Sequence, residues 1–74
     1  MSYNNVGSAY GDLGEYEKKL EYQLKALEIY KTIYASNPNH PDLATSYNNV
    51  GYAYGDLGEK EKQLEYWLKA FEIY

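Results

Sequence analysis

Ser46-Tyr47-Asn48-Asn49-Val50-Gly51-Tyr52-Ala53-Tyr54-Gly55-Asp56-Leu57-Gly58-Glu59 decides the fold, because the chain contains it twice. The first copy starts 44 residues earlier, at Ser2, and reaches Glu15 with one change, Ser8 for Tyr52. The match then continues to Tyr30 in the first copy and Tyr74 in the second. Five positions differ: Ser8/Tyr52, Tyr16/Lys60, Lys19/Gln63, Gln23/Trp67 and Leu27/Phe71. Self-similarity at a fixed period of this size marks a repeat architecture. Such near-identity points to a recent duplication, or to an excised or designed fragment.

Each copy reads as two helices. Tyr3, Val6 and Tyr10, with Tyr47, Val50 and Tyr54, are spaced three and four apart and share one helical face. Asp12-Leu13-Gly14 and Asp56-Leu57-Gly58 then break the helix, since glycine supplies a left-handed cap. Leu20, Leu24, Leu27 and Tyr34 form the stripe of the second helix, widened by Ala26, Ile29 and Tyr30. Glu15 and Glu17 suit the positive end of that helix. Glu21–Lys25 and Glu65–Lys69 have the spacing of i,i+4 ion pairs. In Ala35-Ser36-Asn37-Pro38-Asn39-His40, Pro38 is expected to end the second helix, and Pro41 fits the first position of the third. The expectation is an all-α chain of four antiparallel helices near 2–12, 15–35, 41–56 and 59–74. It forms one domain over 1–74, with repeat one at 1–40 and repeat two at 41–74.

Composition narrows the function. Net charge is −4, and with no arginine and no basic cluster, nucleic-acid binding is not expected. There is no cysteine and a single histidine, His40, so no catalytic triad or metal set can be assembled and no cofactor is expected. No stretch has the roughly 20 apolar residues of a membrane span, and no signal-peptide pattern opens the chain. The chain is read as non-enzymatic and cytoplasmic, with a protein or peptide partner. Gly7, Gly11 and Gly14 do not follow a strand and are read as close helix approach and capping, not as a phosphate loop.

The run Tyr3, Val6-Gly7, Tyr10, then Gly14, Leu20 and Ala26 resembles the tetratricopeptide repeat. Pro41-Asp42-Leu43-Ala44-Thr45 before Ser46 looks like its longer-period subclass, known from kinesin light chains and prokaryotic repeat proteins. The resemblance covers nearly the whole chain and implies an α-solenoid fragment that binds proteins. It also implies a concave groove lined by the first helices, which makes Asn4, Asn5, Ser8, Asp12, Asn48, Asn49, Tyr52 and Asp56 candidates for holding a peptide. Neighbouring asparagines could instead bond to each other between repeats. Lys19 and Gln63 stand where the family has a small alanine, which predicts looser packing within each hairpin. Lys31 replaces the proline that usually ends the second helix, so that helix should run a turn further.

Four of the five differences between the copies, at 60, 63, 67 and 71, fall on one stripe of the last helix. That stripe gains Trp67 and Phe71, side chains typical of interfaces. Trp67, Phe71, Gln63, Tyr16, Leu27 and Tyr34 are therefore candidates for self-association. A homodimer could form by end-to-end stacking or by exchanging a hairpin across 35–40 (domain swapping).

Overall fold

The computed structural model describes residues 3–73. The helices are α1 (Tyr3–Asp12), α2 (Tyr16–Ile33), α3 (Pro41–Asp56) and α4 (Lys60–Ile73). Each falls within about two residues of the span expected from the pattern, and among the described residues there is no strand. Each helix packs only on its neighbours in the chain: α1 on α2, α2 on α3, α3 on α4.

Both hairpin turns have the same cap. Gly14 and Gly58 adopt φ of 77° and 80°, a conformation that costs an L side chain energy. The Glu15 N–H donates to the Tyr10 carbonyl at 2.9 Å and the Gly14 N–H to the Gly11 carbonyl at 3.0 Å. Glu59 and Gly58 repeat the two bonds on Tyr54 and Gly55. This is the Schellman pattern, which satisfies carbonyls the helix leaves open.

The linker corrects one expectation. α2 does run past Lys31, but it stops at Ile33, well before Pro38. Proline therefore does not end it. Tyr34 leaves the helix at φ −102°, ψ 28°, and its hydroxyl donates to Asp42 Oδ2 at 2.6 Å. Its ring stacks on His40 with centroids 3.9 Å apart. His40 Nδ1 accepts from the Asp42 N–H at 3.1 Å and so caps α3, with Pro41 at the first helical turn. The single histidine is thus a helix cap, a role the sequence reading did not assign.

The core lies at the boundary between the repeats. Leu27, Leu43 and Val50 form its centre, with Leu20, Leu24, Tyr30, Tyr34, Tyr47, Tyr54, Tyr66 and Ile73 packed around them. Ile29, expected in the apolar stripe, is instead exposed. Residues of both repeats contribute to this core.

Looser packing within the hairpins is also overturned. The close approach that the family obtains from a small residue on its second helix is obtained here from glycines on the first. A methyl group at Gly11 would come within 2.8 Å of Lys19 Cδ, and one at Gly7 within 3.0 Å of Gln23 Nε2. In repeat two, one at Gly51 would meet Trp67 Cδ1 at 2.5 Å, and one at Gly55 would meet Gln63 Cδ at 2.7 Å.

The tyrosines fill the rest of each hairpin. Tyr22 lies between Tyr3 and Tyr10, with ring centroids 5.9 and 5.5 Å away. Tyr66 lies in the same way between Tyr47 and Tyr54, at 6.1 and 5.4 Å. Lys25 and Lys69 do not close the ion pairs expected with Glu21 and Glu65. Their ammonium groups sit over the Tyr22 and Tyr66 rings at 5.0 and 5.2 Å, where the ring quadrupole attracts a cation.

Candidate protein-interaction face

The face of α2 that meets α3 carries Leu20, Gln23, Leu24 and Leu27. Gln23 and Leu27 are each only 2% exposed, and both leucines beside them are half-buried. The same positions of α4 are Leu64, Trp67, Leu68 and Phe71, and their exposures are 57%, 36%, 53% and 76%. The difference has one physical source. α2 has α1 on one side and α3 on the other, whereas α4 has α3 alone. Four large apolar side chains are thus exposed along one side of α4.

At the opposite end, α1 presents the equivalent of the α3 face. Val50 and Ala53, fully buried against α2, correspond to half-buried Val6 and exposed Ala9. The molecule therefore carries the two halves of its own internal interface, one at each end.

The sequence candidates divide accordingly. Trp67 and Phe71 lie on the open patch, and Tyr16 is exposed at the start of α2. Leu27 does not belong to such a patch. It is a centre of the core, because α3 covers the stripe in repeat one. Gln63 is half-buried against Gly55, and Tyr34 is held in the linker by Asp42 and His40. Leu64 and Leu68, exposed on the same side of α4, were not among the sequence candidates. They are identical in both copies, so comparing copies could not single them out, although Leu20 and Leu24 had been assigned to the buried stripe.

Of the groove candidates, Asn5, Ser8, Asp12, Tyr52 and Asp56 are exposed, and Asn4, Asn48 and Asn49 are half-buried. Tyr52 meets the Trp67 indole edge-on at 5.2 Å. Asp56 is engaged by Lys19, whose Nζ lies 2.7 Å from Oδ2 and ties α2 to the end of α3. The Asn4 carbonyl accepts a long bond of 3.4 Å from Gln23 Nε2, while Asn4 Oδ1, Gln23 Oε1 and Ser46 Oγ are buried without a partner.

Two tyrosines have raised pKa values. For Tyr34 the first cause is the hydrogen bond to the Asp42 carboxylate, which would be lost and replaced by repulsion on ionisation. For Tyr66 it is burial in the stack, followed by the neighbouring Tyr54 and Glu65. Among the described residues no group of three or more His, Asp or Glu could hold a metal. Nor is any described helix long and apolar enough to cross a membrane.

A family model described as tetratricopeptide repeat matches residues 1–74. The chain belongs to the tetratricopeptide repeat family. Compared with curated proteins, it matches none. As a tetratricopeptide repeat chain it is a protein–protein interaction module, and its paired hairpins are the units of that family.

Proposed function

We propose that this module self-associates end to end, the open face of α4 receiving α1 of a second copy. One observation carries the reading: Leu64, Trp67, Leu68 and Phe71 are exposed where their counterparts Leu20, Gln23, Leu24 and Leu27 lie under α3. The helix that covers those counterparts is the near-copy of α1. Tyr3, Val6 and Tyr10 equal Tyr47, Val50 and Tyr54 in identity and spacing. The contact is thus continuous with one the chain already makes within itself. Where Lys19 holds Asp56, Gln63 would meet Asp12 of the next copy, exchanging an ion pair for an uncharged donor on a carboxylate. The module has no catalytic part in this reading.

Stacking is favoured over hairpin exchange by the linker. Exchange requires 34–40 to open, but Tyr34, His40 and Asp42 hold it in a bend through one short hydrogen bond, one ring stack and one cap. Burying large apolar side chains contributes about 1.5–3 kcal/mol each. Association costs about 4–15 kcal/mol in lost freedom. The two terms are of similar size, so four side chains that are already partly covered support at most a weak, reversible contact, on the order of millimolar.

A second reading lays an extended peptide along Asn5, Ser8, Asp12, Asn48, Asn49 and Tyr52, with Asn4 at its edge. The exposed Tyr52–Trp67 edge pair favours it, since exposed aromatic side chains are common anchors for a bound chain. Asp56 contributes less because Lys19 already engages it.

Sedimentation equilibrium of the whole chain separates the readings. Stacking predicts a mass that rises with concentration and an 8.6 kDa monomer for Phe71→Glu, with circular dichroism unchanged. A wild-type mass fixed at the monomer value across the range would refute self-association.

A further inference from the structure

The bend between the repeats is built around one titratable ring. His40 Nδ1 accepts from the Asp42 N–H at 3.1 Å and so caps α3. A ring nitrogen that accepts carries no proton, so this bond specifies a neutral imidazole with its proton on Nε2. The same Nδ1 lies 3.8 Å from Asp42 Oδ2, beyond hydrogen-bond length. That oxygen accepts from the Tyr34 hydroxyl at 2.6 Å. The Tyr34 ring lies face to face with His40, with centroids 3.9 Å apart and planes 10° off parallel. One histidine nitrogen thus stands between a backbone donor, which it bonds, and a carboxylate, which it does not.

We infer that His40 is a proton-operated switch at the start of α3: neutral, it caps the helix; protonated, it releases the cap and pairs with the Asp42 carboxylate. A proton on Nδ1 takes up the lone pair that the Asp42 N–H uses and leaves two donors facing each other. The new N–H has an anionic acceptor about 1 Å beyond bonding distance. A positive ring is disfavoured at a helix N-terminus and favoured over the Tyr34 face. The lost cap and the new pair therefore draw the ring the same way, from the backbone toward the carboxylate. The titratable and charged groups around the ring are Tyr34 at the end of α2 and Asp42 on α3, while Lys69 and Glu72 of α4 line the recess on the Pro38–Asn39 side of the linker. Tyr34 keeps its proton where histidine titrates, because its bond to the Asp42 carboxylate raises its pKa. The switch reaches the core through one bond. The Leu43 N–H donates to the His40 carbonyl at 3.0 Å, and Leu43 is a centre of the core between the repeats.

The test is ¹⁵N and ¹³C NMR of the full chain from about pH 8 to about pH 5, the range in which histidine changes charge. At the upper limit the His40 ring should show the Nε2–H tautomer. As pH falls, the Asp42 and Leu43 amides and the Asp42 Cγ should shift with the same midpoint as the ring. His40→Asn offers an uncharged cap that does not titrate, so the same signals should stay still across the range. The wild-type movements should recur in Phe71→Glu, which keeps the readout independent of stacking. An Nδ1–H tautomer at the upper limit, an Asp42 amide that does not follow the ring, or movements that survive His40→Asn would overturn the switch. A Cγ that stays still while the amide moves would overturn the pairing with Asp42.

Discussion

Gln23→Met should make this protein more stable, against the usual direction of core substitutions. Gln23 is 2% exposed between α1 and α3. Its only polar contact is a bond of 3.4 Å from Nε2 to the Asn4 carbonyl, and Oε1 has no partner. A buried polar group without a hydrogen bond costs about 1–3 kcal/mol, and a long bond returns at most about 1 kcal/mol. Methionine matches the length of glutamine without its terminal branch, and its flexible thioether can keep the contact with Gly7. The net gain is therefore about 1–2 kcal/mol, or roughly 4–8 °C in Tm per kcal/mol for a domain of this size. Urea titration followed by circular dichroism, at concentrations where the chain is monomeric, measures it. Gln23→Trp, the residue found at 67, should do the reverse. With α3 in place the indole would overpack the site at a cost of about 1–3 kcal/mol. A Gln23→Met variant less stable than wild type by about 1 kcal/mol or more would refute the reasoning, because the amide would then be contributing a satisfied bond.

Three further outcomes follow from the same contacts. Gly51→Ala should destabilise by about 1–3 kcal/mol, since its methyl meets the rigid Trp67 ring and the Gln63 carbonyl. Gly55→Ala meets only the movable end of Gln63 and should gain up to about 1 kcal/mol from helix propensity, a contrast that thermal melts resolve. Lys19 and Asp56 are partly exposed, so a double-mutant cycle with Lys19→Met and Asp56→Asn should give a coupling below about 1 kcal/mol that shrinks at high salt. Alkali should lower the stability of the protein. Tyr34 and Tyr66 resist ionisation when folded, so their contribution is complete below the usual tyrosine pKa of about 10 and is lost as pH rises through their raised values. Urea midpoints from about pH 8 to about pH 11 should fall less steeply in Tyr34→Phe/Tyr66→Phe than in wild type.

The fold was legible because local and long-range signals agreed. The repeat set the number of helices, and Gly14, Gly58 and Pro41 marked turns whose backbone needs are specific to those residues. What was misread depended on partners far away in sequence. Lys19 and Gln63 looked too large for a close hairpin until Gly11 and Gly55 were found opposite them. Glu21 and Glu65 had the right spacing for their lysines, yet the tyrosine rings took the ammonium groups. Pro38 looked like a helix stop, but Tyr34 turns the chain first because Asp42 lies within reach of its hydroxyl. On the open side of α4, the changed residues Trp67 and Phe71 were visible from the sequence. The unchanged Leu64 and Leu68 became visible only once α3 was seen to cover one copy of the stripe and not the other.

Trp67 is the only tryptophan of the chain and stands on the proposed stacking face, which makes its fluorescence the most direct test. Emission should be recorded from about 1 µM to about 1 mM protein, beside the mass from light scattering. The account predicts that the emission maximum moves to shorter wavelength as the mass rises above 8.6 kDa, and that Phe71→Glu abolishes both changes. An emission maximum that stays constant while the mass rises would place the contact elsewhere, and a constant mass would contradict stacking altogether.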